Sequence, residues 1–156
     1  MKKTAVFLIL AVMSVFCLTG CGGREQYAGK WEAKEMIVNG TSYTELANVP
    51  INVFMRFELN KSGSAEWASP LQTVKDPSKS GVSASWKIKG DKVILKVNLP
   101  DGENVIEFYD KDGKLVTDQN GSQLTVERVD EFSPVDSMAL MNAVSGGASN
   151  SLLGGY

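Results

Sequence analysis

Few residues in this chain could do chemistry. Its 156 residues include no histidine, two cysteines (Cys17 and Cys21), and 18 acidic side chains against 16 basic ones. Without histidine there is no Ser-His or Cys-His nucleophile pair, no imidazole general base and no imidazole metal ligand. Two cysteines, the first inside an apolar leader, can build neither a disulfide framework nor a thiolate cage. Asp110-Lys111-Asp112-Gly113 puts two carboxylates close together. The further oxygen ligands and the distant glutamate of a calcium loop do not follow it, so the quartet predicts a hairpin turn. No Gly-rich phosphate loop and no Gly-x-Ser-x-Gly elbow occurs. Residue types alone leave a paired-carboxylate hydrolase open, although no pair stands out. The expectation is a protein that is not an enzyme and that needs no cofactor and no metal. Cys21 is the candidate for modification, and Glu35, Tyr43, Leu46 and Trp67 are the candidates for ligand binding.

Cys17 lies within the leader and Cys21 directly follows it. Met1-Lys2-Lys3-Thr4 is a short positive start, and Ala5 to Leu18 is an apolar run ending in Leu18-Thr19-Gly20-Cys21. A run of about 14 residues suits an export signal and is short for a membrane span. The last four residues resemble the lipobox of bacterial lipoproteins. That resemblance implies cleavage before Cys21, a diacylglyceryl group on its sulfur, and a membrane anchor on the extracytoplasmic face of the cell membrane. Two acyl chains hold firmly where one does not, at about 0.8 kcal/mol per buried CH₂. Removing residues 1–20 takes Lys2 and Lys3, leaving 14 basic against 18 acidic residues, a net charge of −4. Such a surface makes nucleic acid an unsuitable partner.

Past Tyr27 the chain alternates. Period-two runs rich in Val, Ile, Phe and Trp predict strands over 30–38, 51–59, 64–69, 82–89, 92–99, 104–109, 114–118 and 123–129. Turn signals at 60–63, 90–91, 101–102, 110–113 and 120–121 make neighbouring strands antiparallel. The fold class is therefore all-β: an eight-stranded antiparallel up-and-down barrel, closed so that no edge remains. Ser133-Pro134-Val135-Asp136 predicts a short C-terminal helix over 134–144, with Ser133 as its cap. Four segments result: signal 1–20, lipidated tether 21–28, barrel 29–130, and helix with a loose tail 131–156.

Gly29-Lys30-Trp31 opens the first strand, Thr125-Val126-Glu127-Arg128 closes the last, and Trp86-Lys87-Ile88-Lys89-Gly90-Asp91 forms a central hairpin. Together they resemble the calycin superfamily, in particular the small lipocalin-like domains of bacterial lipoproteins. The resemblance implies that Trp31 plugs one end of the barrel and that Arg128 packs over it, an indole–guanidinium stack worth about 0.5–2 kcal/mol. About 100 residues is short for that family, which weighs against a large cavity.

Links 60–63, 90–91 and 110–113 fall at the plugged end, with the tether and a mildly basic set of lysines. The long links 39–50 and 70–81 fall at the opposite rim. This predicts a plug facing the membrane and a rim facing outward. Trp31, Trp67, Trp86, Met55, Phe57 and Phe108 point into the barrel, forming either an aromatic pocket or a solid core. Glu35 falls on the inward face unless a bulge turns it to water and Met36 and Val38 inward. Tyr43 and Leu46 either form a lid or cap the core. Two partners besides the membrane fit this layout, a small amphiphilic or glycan-type ligand at the rim and an envelope protein gripped by the rim loops.

Overall fold

The computed structural model describes residues 23–46, 48–70, 82–99, 102–119 and 121–145. The signal, Cys21, most of the 70–81 link and the tail after Ser145 lie outside the described residues. The strands are β1 (Gly29–Val38), β2 (Thr41–Tyr43), β3 (Glu45–Leu46), β4 (Val49–Pro50), β5 (Arg56–Leu59), β6 (Ser64–Trp67), β7 (Val82–Lys89), β8 (Lys92–Leu99), β9 (Gly102–Lys111), β10 (Lys114–Gln119) and β11 (Ser122–Val129). A 3₁₀ turn covers Ile51–Val53, and a helix, α1, covers Ser137–Ser145. Strands β1 and β5 to β11 pair in sequence order, and β11 returns to β1 to close an eight-stranded antiparallel barrel. This is the lipocalin-like up-and-down arrangement.

Alternation decides what the barrel encloses. Phe57, Leu95, Phe108, Leu115 and Val126 are fully buried inside it. Phe57 stacks on Trp67 with centroids 6.4 Å apart and tilts against Phe108 at 5.3 Å. The lower barrel is a packed core. Strand β1 carries a bulge between Ala33 and Glu35 against β11. The extra residue returns Met36 to the inner face, where it packs on the core, and turns Glu35 outward. The Asp110–Gly113 quartet is a hairpin turn, with Asp112 and Gly113 both at positive φ and Asp110 Oδ1 accepting from the Gly113 amide at 3.0 Å.

Trp31 and Arg128 come together at the end of the barrel where β1 begins. The Arg128 guanidinium lies 5.3 Å from the Trp31 ring centroid, and the Trp31 indole donates to the Tyr27 carbonyl at 2.8 Å. Gly29 adopts φ +134°, a conformation that side-chain-bearing residues rarely take, and Arg128 lies beside it. The stretch after Cys21, expected to be flexible, is docked from Arg24 onward. Arg24 donates to the Ser62 carbonyl, Arg128 donates to the Gln26 carbonyl, and Tyr27 donates to Asp110 Oδ2 at 2.9 Å.

Three sequence expectations change. The second strand begins at Arg56 rather than at 51, because Pro50 leads Ile51–Val53 into a 3₁₀ turn. Burial still follows period two there, with Ile51, Val53 and Met55 all buried. The helix begins at Ser137 rather than 134. Its cap is Asp136, whose Oδ1 accepts from the Met138 and Ala139 amides at 2.9 and 3.0 Å. Ser133 is engaged elsewhere, on Glu32. Glu32 alternates with Trp31 and Ala33 and so lies on the outside of the barrel, where it is nevertheless wholly buried.

Candidate functional site at the barrel mouth

The mouth is the end of the barrel away from Trp31. Trp67, at the end of β6, is opposite Val82 at the start of β7 and opposite Phe57 on β5. It is only 6% exposed, and among the described residues its indole Nε1 has no hydrogen-bond partner. The other two indoles differ: Trp31 donates to Tyr27 O and Trp86 to Asn60 O, each at 2.8 Å. A buried donor left unpaired costs about 1–3 kcal/mol. The lower barrel satisfies its indoles, whereas the mouth leaves one open.

Val82 lies opposite Trp67, and the half-buried Met36, Leu46, Val82 and Leu99 pack on the core. Thr117, buried on the inner face of β10, adds a hydroxyl. Toward the mouth Asn104, Gln119 and Ser122 also share the inner face by register. The described inward residues at this end are uncharged. The wall also loosens here. Strands β9 and β10 pair at Lys111/Lys114, Asp110/Leu115 and Tyr109/Val116, and beyond Val116 the pairing stops, whereas β9 stays paired with β8 to Gly102.

The four predicted ligand residues separate. Trp67 belongs to the barrel core, and the half-buried Leu46 packs against that core. Tyr43 is opposite Met36, sharing its face, and is partly exposed. Glu35 faces outward, where its carboxylate accepts from the Ser42 hydroxyl.

Sequence reasoning missed a buried polar knot on the outer wall. Glu32 accepts from the Ser133 amide at 2.8 Å, the Ser133 hydroxyl at 2.6 Å and Lys34 Nζ at 2.8 Å, and it pairs with Arg56 at 3.1 Å. Arg56 in turn donates to Ser133 O at 2.7 Å and Asn52 O at 2.9 Å. Burial raises the Glu32 carboxyl, but the bonds from Lys34 and Ser133 and the Arg56 charge outweigh it and hold the group below the usual carboxylate range. Burial likewise lowers Arg56, and Glu32 counters it. Phe132 covers the knot, with the Lys30 and Arg56 cations 5.8 and 5.7 Å from its ring centroid. The signal available was Phe132-Ser133-Pro134 directly after the last strand, a segment too apolar and rigid for a free linker.

Fold and mouth define a small, closed, lipocalin-like β-barrel. No family profile and no curated protein sequence matches the chain. Among solved structures it is similar to that titled "The Siderocalin Ex-FABP functions through dual ligand specificities", at 14% identity over 80% of this chain and 83% of that one, with a TM-score of 0.22.

Proposed function

We propose that this protein is a lipid-anchored extracytoplasmic lipoprotein, without catalytic activity, that binds a small amphiphilic or glycan-type ligand at its barrel mouth. The buried indole N–H of Trp67, unpaired among the described residues, carries this reading. A ligand oxygen accepting from Nε1 recovers the cost of leaving that donor unpaired. An apolar segment then covers Met36, Leu46 and Leu99, and the uncharged inner face suits hydroxyls rather than ions. Because the barrel below is packed, the ligand sits shallowly. Anchoring through Cys21 rests on the Leu18-Thr19-Gly20-Cys21 pattern. Docking of Arg24–Tyr27 on the closed end supports an arrangement in which the mouth faces away from the membrane.

The test is a tryptophan-fluorescence titration with octyl glucoside, which carries both a chain and sugar hydroxyls, kept below its micellar concentration. Wild type gives a saturable change, and Trp67→Phe, which keeps a ring but deletes the donor, binds about tenfold more weakly, equivalent to about 1.4 kcal/mol. An unsaturable signal, or one indifferent to Trp67→Phe, overturns the reading.

The packed lower barrel also favours a second reading, a protein-interaction module such as an accessory subunit or inhibitor that uses its rim loops. That reading predicts a partner captured from the cell envelope through the rim, with no small ligand bound.

A further inference from the structure

The outer wall holds a second space. A partly open pocket of about 160 Å³ lies between the 48–53 turn and residues 134–140, which include the first turn of α1. Its sides are mostly hydrocarbon: Val49, Pro50 and Val53 on one, Val135, Ala139 and Leu140 on the other. Val49, Val53 and Leu140 are themselves buried and form a small core separate from that of the barrel. Asn52 also lines the cavity, and its side-chain Oδ1 is buried with no hydrogen-bond partner among the described residues. The Asp136 carboxylate beside it is already engaged in capping α1.

The walls are fixed before anything enters. One guanidinium ties both, since Arg56 donates to Asn52 O on one side and Ser133 O on the other, and Glu32 holds Arg56 in place. Such a rigid frame does not close to remove the void, so the orphaned oxygen persists. A single water needs two to four polar partners, which mostly hydrocarbon walls supply poorly. An apolar cavity of about 150 Å³ accepts a benzene-sized ring.

The geometry points to a second binding site here, for a compact ring-bearing alcohol of the phenol class. Its hydroxyl donates to Asn52 Oδ1, and its ring packs against Val53 and Leu140. This site is separate from the barrel mouth and does not depend on what the mouth binds.

NMR titration of the full chain with p-cresol, and in parallel with toluene, tests this. Toluene has the same ring and methyl group without the hydroxyl. The inference expects saturable p-cresol shifts confined to amides of 48–53 and 134–140, with toluene about tenfold weaker. Asn52→Leu brings the two ligands within about twofold of each other, and Ala139→Met, which fills the space, removes both responses. No saturable shift in those segments, shifts only at the mouth, or equal affinity for the two ligands in wild type overturns it.

Discussion

Replacing Glu32 with glutamine tests the outer-wall knot. Glu32 is 0% exposed, and its two oxygens receive three hydrogen bonds and one ion pair. Glutamine turns one oxygen into a donor that faces other donors, and it leaves the buried Arg56 without its counter-charge. Removing one member of a buried pair costs about 3–5 kcal/mol. At about 3–5 °C per kcal/mol for a domain of this size, that lowers Tm by about 10–20 °C. Urea unfolding followed by tryptophan fluorescence and circular dichroism gives the free energy directly. Arg56→Met should cost a similar amount. The Glu32→Gln/Arg56→Met double variant should cost less than the sum of the singles by about 1–3 kcal/mol, because the residues share one network. A Glu32→Gln cost below about 1 kcal/mol, or strict additivity, would refute the claim that this ion pair holds residues 131–145 on the barrel.

Acidification provides an independent check on the same group. The folded-state carboxyl of Glu32 sits below its ordinary value, so its contribution is fully present above about pH 4.3 and is lost as pH falls through the lower folded value. The stability gap between wild type and Glu32→Gln should therefore be flat from pH 7 to about 5 and shrink below about 4. Trp31→Ala removes the plug over which Arg128 stacks and should cost about 3–5 kcal/mol in urea unfolding. The proposed lipid anchor predicts that Cys21→Ser abolishes metabolic labelling with a palmitate analogue and releases the protein from the membrane pellet.

Much of the barrel was legible because its signals are local. Every predicted strand of the closed barrel corresponds to an observed one, and 82–89 and 92–99 carry the same bounds, since alternation and tight Asp-Gly or Gly-Asp turns fix strand and register together. The bulge near Glu35 was readable from a carboxylate falling on an apolar face. The 51–59 segment misled for a physical reason. Ile51, Val53 and Met55 are buried in alternation whether the backbone is extended or forms a 3₁₀ turn, so the pattern alone cannot separate the two. Glu32 was illegible because its burial comes from a segment about a hundred positions away, and no local pattern encodes that contact. At the mouth, Trp67 and Leu46 stood out as large apolar residues near long links. The missing indole partner is a three-dimensional fact that residue type does not carry.

The central claim is a ligand at the barrel mouth. Native mass spectrometry of the purified full chain measures it most directly. The proposed site predicts, beyond the mass of the protein itself, an added mass that denaturation releases and that is lost in Trp67→Arg, a variant that places a charge in the uncharged mouth. No mass beyond that of the protein itself in either wild type or Trp67→Arg, with nothing released on denaturation, would contradict it.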